Sequence, residues 1–265
     1  MIPFPITKKT VAAMIHVPAL PGTPHSSIPV PKMIPAVRNE AKIYRDHGAD
    51  AILVENMHDR PYLRGDDVGH EITAALSVLA AEIKDAAGLP CGIQILAAAN
   101  KQALACAHAN NLDFIRAEGF AFTHVADEGL IDSNAAELLR YRKSIGAENI
   151  AVLTDIKKKH SSHAITADID VVETAHAASF FLSDGLILTG AATGREADLE
   201  EVRAVKNALP DTPLVIGSGT TPENIRDYLA LADGVIVGTA IKQNTDWTQP
   251  PDPARLKSLL QAARP

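Results

Sequence analysis

The architecture of this chain is indicated most clearly by Val215-Ile216-Gly217-Ser218-Gly219-Thr220-Thr221-Pro222-Glu223-Asn224 and by Ala232-Asp233-Gly234-Val235-Ile236-Val237-Gly238-Thr239-Ala240-Ile241-Lys242. Each stretch predicts a buried strand that runs into glycine, then a hydroxyl residue, then a helix. Glycine lets the backbone come close to a ligand, and a helix start offers unpaired N–H groups and a positive dipole end to an anion. Two such units in tandem are typical of the phosphate site after strands seven and eight of a (β/α)8 barrel.

Working outward from this pair, apolar runs of strand length alternate with helical patterns along the whole chain. The remaining strands are predicted at 11–17, 50–55, 91–96, 113–118, 149–156 and 185–189, and the helices near 32–47, 70–87, 100–110, 133–145, 169–181, 199–209, 222–231 and 253–263. Pro222 and Pro253 are expected in the first turns of their helices. Eight units without a break in composition predict an α/β fold, a single (β/α)8 TIM barrel, as one domain over residues 1–265.

The alternative is a doubly wound open sheet, which usually has fewer units. A dinucleotide-binding sheet of that kind carries GxGxxG after its first strand. The first strand here is followed instead by His16-Val17-Pro18-Ala19-Leu20-Pro21-Gly22. The closed barrel is therefore favoured, and the length of 265 residues is close to the ~250 that is typical of one such barrel.

The charge and hydropathy of the chain exclude two classes of function. A net charge of −7 argues against a nucleic-acid binder that works by neutralising phosphates. No run of ~18 apolar residues is present, and the first ten residues have no apolar signal-like region, so we expect no membrane span and no secretion signal. A cytoplasmic protein is expected, and, because barrels of this size often associate through helix faces, a homo-oligomer.

In a (β/α)8 barrel the active site lies at the carboxyl ends of the strands. Asp155 follows a strongly apolar strand there, and desolvation of such a carboxylate favours general acid–base work. The alternative is a structural ion pair of Asp155 with Lys157 or Arg116. Lys157 is a candidate for neutralising a phosphate or for forming a Schiff base, although loop lysines are commonly solvated.

The other strand ends supply further polar candidates. Glu55 and Asn56 end the second strand, and a buried charge there needs a partner. Arg116 and Glu118 are two residues apart on the fourth strand and so point the same way, either as an internal ion pair or as lining of the pocket. His16 ends the first strand, where it is either a site residue or a packed, hydrogen-bonded one.

The glycine and hydroxyl residues after the last three strands are the predicted phosphate ligands. After strands seven and eight they are Gly217, Ser218, Gly219, Gly238 and Thr239, and after strand six Gly190, with Thr189 beside it as a further residue of the pocket. The loop 189–195 is expected to be a flexible lid or a third side of the phosphate site. No motif with metal-ligand spacing is present, so no metal ligand is predicted; Mg²⁺ held by the strand-end acids and a substrate phosphate stays open.

Four motifs resemble those of the BtpA family, and the resemblance runs from about Val11 to Lys242. The motifs are Met14-Ile15-His16-Val17-Pro18-Ala19-Leu20-Pro21-Gly22-Thr23-Pro24, Val54-Glu55-Asn56-Met57-His58-Asp59, Leu188-Thr189-Gly190-Ala191-Ala192-Thr193-Gly194 and Gly217-Ser218-Gly219-Thr220-Thr221-Pro222-Glu223-Asn224. The resemblance implies a barrel of the ribulose-phosphate-binding type. It places the family site on the glycines above and on Glu55, Asn56 and Asp155. The founding member of the family is named for photosystem I biogenesis, and other members lie among sugar-utilisation proteins.

Two hypotheses about function follow from these residues. The first is an enzyme that acts on a phosphorylated sugar or nucleotide-like compound by acid–base isomerisation, epimerisation or lyase-type cleavage, with Asp155 and Glu118 or Glu55 moving the proton. The second is a non-catalytic assembly or stability factor for a larger complex, which predicts an exposed apolar patch and a protein partner. The doubled phosphate motif favours the enzyme.

Overall fold

A computed structural model describes residues 9–190 and 196–264, and within them eight parallel strands close into a barrel, with an α-helix after each. The strands are β1 (Thr10–His16), β2 (Ala51–Glu55), β3 (Cys91–Gln94), β4 (Phe114–Ala117), β5 (Ala151–Ile156), β6 (Gly185–Leu188), β7 (Leu214–Ile216) and β8 (Gly234–Val237). The helices are α1 (Val30–Asp46), α2 (His70–Ala87), α3 (Asn100–Ala109), α4 (Ala135–Ser144), α5 (Val171–Phe180), α6 (Leu199–Ala208), α7 (Ile225–Leu231) and α8 (Pro253–Ala263). Each strand pairs with the next, and β8 pairs with β1, which confirms the predicted (β/α)8 fold. The single-domain boundary of 1–265 stays a prediction.

Alternation of side chains along the strands fixes what enters the barrel. One set forms an interior cluster separate from the layer between strands and helices: Ala12, Met14, Ala51, Leu53, Phe114, Ala151, Leu153, Ile187, Val215 and Ile236. The same alternation of side chains continues to the carboxyl ends of the strands. His16, Glu55, Arg116 and Asp155 each stand two residues after an interior residue, at the mouth end of the barrel.

A small antiparallel sheet was not predicted. It joins the loop after β4 to the loop after β5, and its strands are His124–Ala126, Gly129–Ile131 and Ser161–Ser162. Strands of two or three residues carry too little periodicity to stand out from a loop in the sequence.

The prolines that were expected to open helices behave differently. Pro253 is at the first position of α8, whose cap Asp252 accepts hydrogen bonds from two backbone N–H groups, so that expectation is confirmed. The expectation for Pro222 is wrong, because α7 begins only at Ile225. The preceding turn is held by the Asn224 side chain, which accepts from Thr221 N at 2.8 Å and donates to Gly219 O at 2.9 Å.

None of the helices in the described ranges is both long and apolar enough to cross a membrane.

Candidate functional site

A cavity of about 220 Å³, here called the mouth cavity, lies at the carboxyl ends of the barrel strands. Its floor is made by the barrel-interior residues Met14 and Ile236, and its walls by strand ends and the loops after β7 and β8. The sequence-predicted candidates that line it are His16, Glu55, Arg116, Gly217, Ser218, Gly219, Gly238 and Thr239. The fold therefore brings five of the six predicted phosphate ligands together with three charged or ionisable strand-end residues.

Two hydroxyl groups of the cavity wall have no protein partner. Ser218 and Thr220 are 8% and 4% exposed, and neither Ser218 Oγ nor Thr220 Oγ1 makes a hydrogen bond to any described residue. A buried hydroxyl without a partner costs free energy, and in most native structures such a group is satisfied. Both hydroxyls are therefore groups that a polar ligand in the cavity would satisfy.

Backbone N–H groups of the same loops are also free for a ligand. Within the described ranges, those of Ser218, Gly219, Thr239 and Ala240 donate to no protein acceptor. Gly219 has φ of +73°, which a residue with a side chain rarely adopts. The predicted helix starts are absent from these loops, because α7 begins later and β8 runs into a three-residue 3₁₀ turn. Loop N–H groups and hydroxyls, rather than helix dipoles, make this wall suitable for an anion.

Gly217 is fixed as glycine by close packing at the end of β7. A Cβ atom there would lie 2.5 Å from Ile187 Cγ2 and 2.9 Å from Thr189 Cγ2. The Gly217 carbonyl oxygen also accepts from Arg116 Nη1 at 3.4 Å. Because Gly217 has no side chain, the loop that carries Ser218 and Thr220 can pack against the Arg116 guanidinium at the cavity wall.

Asp155 has a different place from the one expected of an acid–base group. Its side chain is fully buried and outside the cavity lining, and it accepts two hydrogen bonds from Arg116, Nε to Oδ2 at 2.9 Å and Nη2 to Oδ1 at 2.8 Å. This two-point geometry is the strong, planar form of carboxylate–guanidinium pairing. Asp155 is therefore placed to orient Arg116, the pairing that the sequence left open as an alternative.

Glu118 is likewise committed to protein partners. Its Oε1 accepts from Gln94 Nε2 at 3.0 Å and lies 3.3 Å from Lys158 Nζ, and its Oε2 accepts from Ala98 N at 2.8 Å. Burial alone would raise the pKa of Glu118, but Lys158 and the Ala98 N–H outweigh it and hold that pKa below its usual value. Glu118 is an ionised, fully bonded carboxylate outside the lining of the mouth cavity.

The lysine run after β5 is arranged differently from the prediction. Lys157 donates from Nζ to the Thr166 carbonyl oxygen at 3.1 Å, away from the cavity lining, whereas Lys159 lines the cavity. Lys157 has φ of +48°, which ends the extended alternation of β5. In the sequence, only the three consecutive lysines indicated a cation in this loop. The alternation of side chains along β5 does not continue beyond the strand, so it could not show which lysine enters the cavity.

Three further candidates do not line the cavity. Asn56 bridges two loops, since its Oδ1 accepts from Leu96 N at 2.8 Å and its Nδ2 donates to Asp59 Oδ2 at 2.9 Å. Thr189 Oγ1 accepts from the Lys159 N–H at 3.1 Å and so supports the loop that carries the lysine. Gly190 is the last residue before 191–195, which lie outside the described residues together with most of the predicted lid loop.

Glu55 is the carboxyl group of the cavity without a strong ion pair. Burial raises its pKa, although Arg116 and Lys159 act in the opposite direction. His16 Nε2 lies 3.5 Å from Glu55 Oε2. Burial, and then the charge of Lys242, lower the pKa of His16 to about 3, so the ring is neutral at pH 7. Glu55 is therefore a carboxyl group that can hold a proton at the cavity wall, with the neutral His16 ring beside it.

The segment between β8 and α8 packs over this pair. The Trp247 carbonyl oxygen lies 3.3 Å from His16 Nδ1, which places the proton of the neutral ring on Nδ1 and leaves Nε2 as an acceptor. The Trp247 ring is 5.7 Å from the His16 ring and 4.7 Å from the His58 ring, and the Arg60 guanidinium lies 5.0 Å over it. Trp247 therefore sets both the tautomer and the position of His16.

Most of the charged side chains around the mouth are paired with one another. Arg116 is paired with Asp155 and Lys158 with Glu118, whereas Lys159 has no ion pair with any residue of the described ranges. Burial raises the pKa of Glu55, so its carboxylate takes up a proton at a higher pH than an ordinary glutamate. Among the described residues of the cavity, Lys159 and Glu55 are thus the charged groups without a strong ion pair.

The strand-end acids do not gather as a cation site would require. The carboxylates of Asp155 and Glu118 are turned to Arg116 and Lys158, and the described residues contain no cluster of three or more His, Cys, Asp or Glu side chains with metal-binding geometry. Carboxylates already bonded to cationic side chains are poor ligands for Mg²⁺, so this donor set does not fit the metal that was left open.

Comparison with known proteins places these features in a family. The model of the BtpA family matches residues 7–265. An uncharacterised mitochondrial protein of Caenorhabditis elegans, F13E9.13, is 46% identical over 261 residues, covering 96% of this chain and 93% of that protein. The photosystem I biogenesis protein BtpA of Synechocystis is 31% identical over 261 residues, covering 97% of this chain and 88% of its own length.

A solved structure with the same architecture is the (S)-3-O-geranylgeranylglyceryl phosphate synthase of Thermoplasma acidophilum. It matches with a TM-score of 0.60 and 16% identity, over 96% of this chain and 93% of the synthase. This likeness is one of fold. The family match spans nearly the whole chain and the motifs around His16, Glu55, Gly190 and Gly217 lie within it, so the chain belongs to the BtpA family.

Proposed function

We propose that this protein is an enzyme that acts on a phosphorylated small molecule, a sugar phosphate or a nucleotide-like compound. The phosphate is held by the hydroxyl and N–H groups of Ser218, Gly219 and Thr220 on one side of the mouth cavity and by Gly238 and Thr239 on the other. The observation that carries the proposal is the pair of buried hydroxyls, Ser218 Oγ and Thr220 Oγ1, that have no partner among the described residues.

Proton transfer is assigned to Glu55, with the neutral His16 ring as a hydrogen-bond acceptor for its protonated carboxyl group. Glu55 lines the cavity, its pKa is raised by burial, and it lies 3.5 Å from the acceptor nitrogen of His16. A carboxyl group tuned upward in this way is suited to general acid–base catalysis near neutral pH. Asp155 and Glu118 then have supporting roles outside the cavity lining, where they form ion pairs with Arg116 and Lys158.

The reaction class that fits these groups is isomerisation, epimerisation or lyase-type cleavage, each of which moves a proton at a carbon next to a carbonyl group. The synthase that shares the fold was solved with sn-glycerol-1-phosphate, which is a ligand of the proposed class, but from that structure we take only the fold.

Ligand-dependent melting tests the phosphate site. Inorganic phosphate, ribose 5-phosphate and glyceraldehyde 3-phosphate are added to the wild-type protein, and binding at a hundred times Kd adds about 2.7 kcal/mol to stability. Ser218→Ala combined with Thr220→Val removes hydrogen bonds to a charged group that are worth about 1.5–3 kcal/mol each, so the Kd should rise at least about tenfold. Ser183→Ala is the matched control, because Ser183 Oγ is also a buried hydroxyl without a partner but lies outside the cavity.

The acid–base assignment is tested by proton exchange. A panel of phosphorylated aldoses and ketoses is incubated in D₂O with the protein, and deuterium incorporation is followed by NMR. Incorporation should be lost in Glu55→Gln, while the phosphate-induced rise in melting temperature is kept. Equal incorporation by Glu55→Gln and the wild type would remove Glu55 from the reaction, and no rise in melting temperature with any phosphate would remove the phosphate site itself.

One observation favours the second candidate function, an assembly or stability factor for a larger complex. Phe180, Phe181 and Leu182 at the end of α5 are 81%, 48% and 71% exposed, which is an apolar patch of the kind that this hypothesis predicts. One relative also carries the name photosystem I biogenesis protein. If the purified protein is an oligomer whose interface covers the patch, this support for the second candidate is lost; a monomer with the patch free would strengthen it.

A further inference from the structure

Lys159 lines the mouth cavity, and its amine has no ion pair with any described residue. Arg116 is held by Asp155 and Lys158 by Glu118, and Lys157 is bonded to a carbonyl oxygen outside the lining. The Lys159 amine, in contrast, has no hydrogen bond and no ion pair with any part of the chain that the structure describes, although it lines the cavity. An uncommitted amine inside a cavity is available for chemistry.

The main chain at Lys159 is anchored on both sides, so its position in the cavity wall is defined. Its N–H donates to Thr189 Oγ1 at 3.1 Å, and its carbonyl oxygen accepts from Ser161 Oγ at 3.3 Å. The first contact fixes the main chain to the loop after β6, and the second fixes it to the strand Ser161–Ser162 of the small sheet. The side chain thus extends from a fixed base towards Arg116 and Glu55, which line the same cavity.

The surroundings of the amine favour its neutral form. Burial lowers the pKa of Lys159, and the positive charge of Arg116 lowers it further, against the opposing charges of Glu55, Asp155 and Glu118. A lysine that is desolvated and close to another cation is activated as a nucleophile towards carbonyl groups. A lysine whose task is only to neutralise an anion keeps its proton and is best served by the opposite environment.

We propose that Lys159 forms a Schiff base with the carbonyl carbon of a phosphorylated aldehyde or ketone whose phosphate lies against Ser218–Thr220. This inference rests on the phosphate-binding function proposed above and names the substrate class of the same cavity as carbonyl phosphates. The remaining steps follow from the groups on the cavity wall.

The amine of Lys159 and the carboxyl group of Glu55 supply and accept the protons that this reaction moves. The neutral amine nitrogen bonds to the carbonyl carbon, and one amine proton moves to the former carbonyl oxygen, which gives a carbinolamine. Protonated Glu55 gives its proton to that hydroxyl group, which leaves as water, and the nitrogen and carbon form an iminium. The Glu55 carboxylate then takes a proton from the neighbouring carbon, whose electron pair moves into the carbon–carbon bond of an enamine. The same iminium serves isomerisation, epimerisation and cleavage.

Reductive trapping tests the proposal on the full chain. The protein is incubated with glyceraldehyde 3-phosphate and sodium cyanoborohydride, and modified lysines are located by peptide mass spectrometry. Lys159 should gain the mass of the aldehyde less one oxygen atom, and faster than Lys157 and Lys158, whose amines are bonded to the Thr166 carbonyl oxygen and to Glu118. Excess inorganic phosphate should slow the labelling of Lys159 but not of the other two.

The variant Lys159→Arg separates the two roles of the residue. Arginine is cationic and cannot form an imine, so this variant should lose the label and the deuterium incorporation while it keeps the rise in melting temperature with inorganic phosphate. If glyceraldehyde 3-phosphate raises the melting temperature but Lys159 is labelled no faster than Lys157, the Schiff base is refuted and the phosphate site survives. If no phosphate raises the melting temperature, the proposed function fails first.

Discussion

The variant Asp155→Asn tests whether Asp155 orients Arg116 or takes part in catalysis. The pair with Arg116 has two hydrogen bonds of 2.8 and 2.9 Å, and the two side chains are 0% and 4% exposed. Removing one partner of a buried ion pair leaves the other charge without compensation and costs about 3–5 kcal/mol. Because asparagine keeps one acceptor oxygen, we expect a loss near the lower end, about 3 kcal/mol, or roughly 6–12 °C in Tm for a chain of this length.

Urea and thermal unfolding followed by circular dichroism give this loss directly. The control is Asp66→Asn, which breaks the exposed pair of Asp66 with Lys101 at 3.2 Å and should cost below about 1 kcal/mol. In Asp155→Asn the Arg116 guanidinium also loses its orientation at the cavity wall, so the phosphate-induced rise in Tm should shrink.

The result that would refute this reasoning is a loss of stability no larger than that of Asp66→Asn. If deuterium incorporation disappeared at the same time, Asp155 would be an acid–base group after all, as the sequence suggested. A large loss of stability together with residual incorporation in the folded fraction would assign Asp155 to the support of Arg116.

Three further outcomes are expected. Gly217→Ala places a methyl group 2.5 Å from Ile187 Cγ2, so unfolding free energy should fall by about 1–3 kcal/mol and phosphate affinity with it; an unchanged melt would contradict the packing. His16 has a folded pKa of about 3 against 6.5 for the free side chain, so the unfolded chain binds the proton more readily, and stability should fall as the pH drops from about 6.5 towards 3; His16→Gln should flatten that decline in urea melts at several pH values. Phe180→Ser should shift the molar mass measured by light scattering towards a monomer, and an unchanged mass would exclude Phe180 from the expected oligomer interface.

Strand order and the barrel were predictable because they depend on periodicity. The apolar runs that end at His16, Glu55, Arg116 and Asp155 give both the existence of the strands and, through their alternation, the direction of the last side chain. The residues that bring the β7 and β8 loops to the mouth were found for the same reason, since glycine and hydroxyl residues directly follow each run.

The roles of these residues were not predictable, because they depend on partners that are far apart in the chain. Nothing in the local sequence shows that Asp155 forms an ion pair with Arg116, 39 positions away, or that Glu118 is bonded to three donors. Choice among the three lysines required the backbone angle at Lys157. The cytoplasmic location and the homo-oligomer stay predictions.

The packing of Trp247 against His16 and His58 gives the protein an internal optical reporter. The chain contains a single tryptophan, so all indole emission arises from this one ring beside the mouth cavity. A ligand that displaces His16 or the Arg60 guanidinium changes the polarity and the contacts of that ring. Binding at the cavity can therefore be followed by intrinsic fluorescence, without a label and before any substrate is known.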